Sequence, residues 1–192
     1  AEVLNAKTPN KLILKNTIIK NMSGAGILSR FYDINAENTV VADCKEHSIA
    51  LTLGGKYNFT HCTFSNFYRY ANRQTPLLLM NNFSAIQQFE LDANFKNCIV
   101  YGNLENEIKV EEDPGATSKY LFDHCLVRID PATNTNTSSF INIIKNNWFY
   151  TQFRFILHNC YNFINDSFFN LRDFGLRFFT CDNFNWCCLR IL

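Results

Sequence analysis

The chain has 192 residues, of which 47% are hydrophobic and 18% charged, a composition typical of one domain with a sizeable core. Lys and Arg (18) nearly balance Asp and Glu (17), so the net charge of +1 lacks the basic excess of nucleic-acid-binding proteins. The sequence contains no run of about 18 apolar residues, and it therefore predicts no membrane span.

A short motif recurs along the chain and predicts a repeat fold. It reads apolar, any residue, Asn or His, Thr or Cys, any residue, apolar, and it occupies residues 14–19, 36–41, 59–64, 95–100 and 122–127. The Thr or Cys positions are 17, 39, 62, 98 and 125, so the steps between them are 22, 23, 36 and 27 residues. A basal step of about 22 residues fits one solenoid coil of three short strands, and the longer steps indicate loops inserted at bends.

The Asn or His position of the motif predicts a bend between two strands. Asn tolerates left-handed backbone, and the chain contains 26 Asn residues. Stacked coils would place Asn16 over Asn38, where side-chain amides bond along the stack, and Phe59 beside Phe95 in the interior. A leucine-rich solenoid has a similar coil length, but its Leu-x-x-Leu-x-Leu framework does not occur here.

These motifs resemble the right-handed parallel β-helix family that includes the pectate lyases. They are most similar to the β-helix surface proteins of Bacteroidetes-type bacteria. The resemblance runs from residue 16 to about residue 147 and is carried most clearly by residues 48–57 and 97–103. It implies an all-β, right-handed parallel β-helix of about five recognisable coils over residues 1–147, incomplete at the N-terminus, with an extracellular or cell-surface location.

The composition changes at residue 148. Ten of the 19 Phe, both Trp and four of the eight Cys fall in residues 148–192, where the motif recurs only in part. We expect an irregular tail, for which two interpretations stay open. It is an aromatic cap that covers the apolar end of the solenoid, or it is an out-of-frame segment. Packing of Phe168, Phe169, Phe178 and Phe179 on the last coil would favour the cap.

Cysteine and histidine occupy internal positions of the motif. Cys62, Cys98 and Cys125 are expected to point inward as small apolar residues, because parallel side-chain vectors disfavour disulfides between stacked coils. Their spacing matches no zinc motif, so the sequence predicts no metal site there. His61 and His124 are interpreted as replacements for Asn at the bend rather than as catalytic groups.

An acidic run lies within the 27-residue step. Its members are Glu105, Glu107, Glu111, Glu112 and Asp113. Clustered carboxylates bind Ca²⁺ through oxygen ligands, but this run has no recognisable calcium-loop spacing. A solvated acidic loop is the favoured interpretation.

The strongest candidate site lies within the 36-residue step. Tyr68, Arg69, Tyr70 and Arg73 are candidate glycan contacts, because aromatic faces stack on sugar rings and Arg forks bind carboxylate or sulfate. A loop on a rigid scaffold is a common place for binding. An ordinary surface loop is the alternative.

The sequence therefore favours an exported or cell-surface protein that binds polysaccharide or acts as a scaffold, with no cofactor, no nucleic-acid partner and no identifiable catalytic site. The alternative is a polysaccharide lyase or glycoside hydrolase whose catalytic coils are partly missing. Its candidate bases are Arg69, Arg73, Lys45 and Lys56, and Ca²⁺ enters only under this alternative. A purely structural stalk is a third reading.

Overall fold

The structure is a computed structural model that describes residues 7–145, 177–180 and 187–190. Contacts within the chain divide it into two units, Ala1–Asn147 and Trp148–Leu192. The described residues form strands, bends and turns, without any helix. Accordingly, this part of the chain contains no helix long and apolar enough to cross a membrane.

The strands of the first unit form three parallel sheets, which the chain visits in turn. The first sheet contains, in spatial order, β1 (Lys11–Lys15), β4 (Asp33–Glu37), β7 (Gly55–Thr60), β10 (Leu91–Lys96), β13 (Ser118–Asp123) and β15 (Phe140–Ile141). The second contains β2 (Ile18–Lys20), β5 (Val40–Ala42), β8 (Thr63–Asn66), β11 (Ile99–Gly102), β14 (Leu126–Val127) and β16 (Ile144–Lys145). The third contains β3 (Ile27–Arg30), β6 (Ile49–Thr52), β9 (Leu78–Asn81) and β12 (Ile108–Glu111).

Equivalent motif positions pair across neighbouring strands. The first apolar position of the motif aligns in the order Leu14, Ala36, Phe59, Phe95, Phe122 and Phe140. In the third sheet, Ile27 pairs with Ile49, as the 22-residue repeat predicts. The all-β class and the stacked parallel strands agree with the prediction, and the arrangement is compatible with a solenoid-like β-helix.

The Asn or His position forms a column of bends between the first and second sheets. All its members have positive φ, between 48° and 55°: Asn16, Asn38, His61, Asn97, His124 and Asn142. Asn38 Nδ2 donates to Asn16 Oδ1 at 2.8 Å. Asn142 Nδ2 lies 3.2 Å from His124 Nε2, while His124 Nδ1 donates to Asp123 Oδ1 at 2.6 Å. The predicted bend is thus confirmed, and so is bonding along the column for these pairs.

A stack of four phenylalanine rings runs through the core. The centroid distances are 5.0 Å from Phe59 to Phe95, 4.6 Å from Phe95 to Phe122 and 5.5 Å from Phe122 to Phe140. The interplanar angles are 19°, 8° and 8°. Such aromatic pairs stabilise by about 0.5–1.5 kcal/mol beyond their burial, so the stack ties the strands of the first sheet together.

Four cysteines of the described chain are free and buried: Cys44, Cys62, Cys98 and Cys125. Cys98 N donates to Cys125 Sγ at 3.4 Å, so the Cys125 thiol lies against the backbone of the preceding level. Burial raises the pKa of the Cys98 thiol well above its ordinary value and keeps it protonated. The prediction that the motif cysteines are core residues is confirmed.

A tight corner joins the third sheet to the first. Leu53, Gly54 and Gly55 have φ of 61°, 66° and 124°. The Tyr57 hydroxyl donates to Gly54 O at 2.7 Å and lies 3.1 Å from Ser29 Oγ. A Cβ on Gly55 would stand 2.7 Å from that hydroxyl oxygen, so only glycine fits. Burial raises the pKa of Tyr57 to about 12.

In the second unit, β17 (Arg177–Thr180) pairs antiparallel with β18 (Cys187–Arg190). The sequence predicted an irregular tail, whereas the described residues of the tail form one regular pair of antiparallel strands. The proposed packing of Phe168, Phe169, Phe178 and Phe179 on the last coil lies outside the described residues and side chains.

Candidate functional site

The connections from the second sheet to the third differ in length, and the longest carries the candidate site. Residues 21–26 and 43–48 are short connections, whereas residues 67–77 form a long loop and residues 103–107 the one beside it. The strands after these loops stay in register, since Leu78 pairs with both Ile49 and Ile108. The residues added in this loop therefore leave the register of the third sheet unchanged, and with residues 82–90 they account for the long 36-residue step.

The long loop begins at Asn66. Asn21 and Asp43, at the same offset in earlier motifs, bend with φ of 59° and 52°. Asn66 instead anchors the loop with its fully buried side chain, which donates to Cys44 O and Glu46 O at 2.9 and 3.0 Å. Its Oδ1 accepts from Tyr68 N at 3.2 Å. The start of the loop is thereby fixed to the preceding connection.

An open depression of about 620 Å³ lies between the two loops. Its lining consists of Phe67, Tyr68, Arg69, Ala71, Asn72, Arg73, Gln74, Asn103 and Leu104. Tyr70 stands beside it at 87% exposure, with its ring edge-to-face against Tyr68 at a centroid distance of 5.5 Å and 68°. Arg69 is also exposed. Three of the four candidate residues, Tyr68, Arg69 and Arg73, line the depression, and Tyr70 contacts it through Tyr68.

Arg73 differs from the other three because its side chain is fully buried. Its guanidinium forms a two-pronged ion pair with Glu107, with Nη1 2.8 Å from Oε2 and Nη2 2.5 Å from Oε1. Nη1 also donates to Thr75 O at 2.5 Å. Nη2 donates to Asn66 O at 3.3 Å and to Asn103 Oδ1 at 2.8 Å. These contacts occupy the hydrogens of both terminal nitrogens.

Glu107 overturns the interpretation of the acidic run as one solvated loop, because its side chain has no exposed surface. Besides Arg73, its carboxylate accepts from Leu77 N at 3.0 Å and from Leu104 N at 2.8 Å. Sequence reasoning missed this pair, because 34 residues separate its partners. Glu105 and Glu112 are exposed as expected.

A second arginine, Arg128, contacts the shorter loop of residues 103–107. Arg128 Nε donates to Leu104 O at 2.6 Å, and Arg128 Nη1 donates to the Tyr101 hydroxyl at 2.8 Å. The same guanidinium lies 5.2 Å from the centre of the Tyr101 ring. The backbone of Leu104, at the edge of the depression, is therefore bonded both to Glu107 and to Arg128.

The two lysines named as candidate bases do not line the depression. Lys45 is exposed, and Lys56 is exposed on the outer face of the first sheet, between the register positions of Asp33 and Asp92. His47 Nδ1 lies 2.6 Å from Pro76 O and so contacts the end of the long loop. Over the described ranges, no three His, Cys, Asp or Glu side chains are grouped to hold a metal ion.

Comparisons of the chain with models of protein families, with curated proteins and with solved structures give no match.

Proposed function

We propose that residues 1–147 form a right-handed parallel β-helix of about five coils, on an exported or cell-surface protein, and that its depression binds polysaccharide. The observation that carries the proposal is that half-buried Tyr68 and exposed Arg69 line one open depression, with exposed Tyr70 packed edge-to-face against Tyr68. The relation to pectate-lyase-like proteins rests on the motif resemblance alone.

The chemistry of these side chains suits a sugar chain. Tyr rings present flat apolar faces with polar edges at low entropic cost, and sugar rings have complementary apolar faces. An exposed Arg69 fork offers paired donors to a carboxylate or sulfate. Asn72 and Gln74 add amide donors and acceptors at the rim. Together these groups favour an acidic polysaccharide.

The arrangement favours binding over catalysis. None of the nine residues described as lining the depression is acidic. The nearby carboxylate of Glu107 is buried against Arg73 and lies out of reach of a bound sugar. The solvent-accessible titratable groups that line the depression, Tyr68 and Arg69, therefore have no lining carboxylate with which to form an acid–base pair.

Isothermal titration against pectin, alginate, a sulfated glycosaminoglycan and neutral dextran tests the proposal. We expect the acidic polymers to bind and Tyr70→Ala to weaken binding about tenfold, the loss of roughly one stacking contact. Arg69→Gln should weaken binding and reduce its salt dependence. Lys109→Ala, an exposed charge outside the depression, serves as the matched control. Equal affinity of all variants, or no binding to any polymer, would exclude this site.

A lyase is the second candidate, and one observation favours it. Lys56 lies in register between Asp33 and Asp92, so basic and acidic groups share one sheet face. Ultraviolet absorbance of unsaturated products, measured with each acidic polymer with and without Ca²⁺, tests this candidate. Activity that disappears in Lys56→Ala would support it, and the absence of product would leave binding as the proposal.

A further inference from the structure

We propose that Arg73 is a positioning residue, which together with Glu107 holds the two loops of the depression in the shape that binds polysaccharide. This inference rests on the proposed function and assigns Arg73 a different role from the direct contact predicted from the sequence. Every described hydrogen bond of its guanidinium goes to a protein acceptor. Its remaining nitrogen, Nε, is buried without a partner, so a ligand in the depression cannot reach it without displacing protein atoms.

The contacts of Arg73 close the long loop on itself. Nη2 donates to Asn66 O, where the loop begins, and Nη1 donates to Thr75 O, two residues before Leu77, where it ends. Glu107 accepts from Leu77 N as well. One ion pair therefore joins the beginning and the end of the segment that carries Tyr68, Arg69 and Tyr70.

The same pair joins the long loop to its neighbour. Arg73 Nη2 donates to Asn103 Oδ1, and Glu107 Oε1 accepts from Leu104 N. Asn103 and Leu104 form the opposite wall of the depression. The width of the depression is thus set by contacts that converge on one carboxylate and one guanidinium.

A two-pronged pair is well suited to this role. The planar fork of Arg fixes both distance and orientation, which a single Lys contact does not. Fixing the loops before binding removes ordering entropy that a ligand would otherwise have to overcome. Gly102 leaves the space that the carboxylate needs, because a Cβ there would lie 2.1 Å from Glu107 Oε1.

The test compares the full chain with Arg73→Ala, Arg73→Lys and Gly102→Ala by hydrogen exchange and by polysaccharide titration. In Arg73→Ala we expect amide exchange to rise about tenfold or more in residues 67–77 and 103–107, through local opening that leaves the first sheet the slower to exchange. Millimolar guanidinium, far below denaturing levels, should restore both protection and affinity. Methylammonium, which has no fork, should not, and Arg73→Lys should recover little. Lys109→Ala is the control.

Gly102→Ala keeps both charged residues and crowds the Glu107 carboxylate as well as Asn66 O, where the long loop is anchored, so it should reproduce the loop exchange of Arg73→Ala. It also serves as the readout if Arg73→Ala does not fold. Unchanged loop exchange in these variants, or loop amides that exchange only together with the first sheet in global unfolding, would overturn the positioning role. The positioning role would also be overturned if guanidinium restored the protection of the loops but not the affinity for polysaccharide. If the unmodified chain binds none of the polymers, the proposed function fails, and exchange alone decides whether the pair positions the loops.

Discussion

The buried ion pair makes a quantitative prediction about stability, which a double-mutant cycle can test. Arg73→Met leaves the Glu107 carboxylate buried with only the amides of Leu77 and Leu104 as partners. Removing one partner of a buried pair costs about 3–5 kcal/mol, and we expect a loss in that range. Glu107→Leu leaves a buried guanidinium and also leaves both amides without an acceptor, at a cost of about 1–3 kcal/mol each. We therefore expect Glu107→Leu to lose more stability than Arg73→Met.

The double variant should be about as stable as Glu107→Leu, because removal of the unpaired charge offsets the donors lost to Thr75 O, Asn66 O and Asn103 Oδ1. The two single losses therefore should exceed the double loss by several kcal/mol. Urea unfolding followed by circular dichroism supplies the free energies of unfolding. The exposed pair Lys109–Glu111 is the control cycle, with an expected coupling below about 1 kcal/mol. If the Arg73 and Glu107 losses add to within about 0.5 kcal/mol, the pair is not the coupled unit described above.

Four further predictions concern the scaffold. In urea unfolding, Phe95→Ala should lower the free energy of unfolding by about 3–5 kcal/mol. Phe140→Ala should lower it less, because Phe140 ends the stack at 9% exposure. Equal losses of stability in the two variants would contradict the stack. Gly55→Ala should lower the melting temperature through strain at φ 124°, and an unchanged value would refute that strain. Since the pKa of Tyr57 is raised from 10.0 to about 12, stability should fall as pH rises from about 10 to 12, by up to about 3 kcal/mol, and Tyr57→Phe should remove that fall. The four buried cysteines should react with a thiol reagent only at the rate of opening, and immediate labelling in the native state would contradict their burial.

The repeating part of the fold could be predicted because register follows the period of the motif. Each apolar position pairs with its equivalent one step later, and the bend at Asn or His is where left-handed backbone is tolerated. The sequence motif identified five copies, one fewer than the levels that the first and second sheets contain. Phe140 and Asn142 continue both columns, but Ile143 replaces the expected Thr or Cys and Lys145 replaces the last apolar residue. The strand geometry persists although these side chains depart from the motif.

The sequence predicted the exposed residues of the candidate site but not the buried contacts that support them. Composition identified Tyr68, Arg69 and Tyr70 as a surface cluster, because exposed aromatic and cationic side chains in a long insertion stand out from the repeat. The pairing of Arg73 with Glu107 left no such signal. It joins two loops of unequal length, and no periodicity relates their residues. Such a contact becomes visible only when the strands bring the loops together.

The corner that carries residues 67–77 also makes this scaffold adaptable. Because Leu78 pairs normally with Ile49 after the long insertion, sequence can be added at this corner while the sheets keep their alignment. Doubling the length of a flexible loop costs only about 0.6 kcal/mol of closure entropy. Selection, or a protein engineer, can therefore exchange this loop for one of different length and sequence. The column of buried rings and thiols in the core would be unchanged by each such exchange.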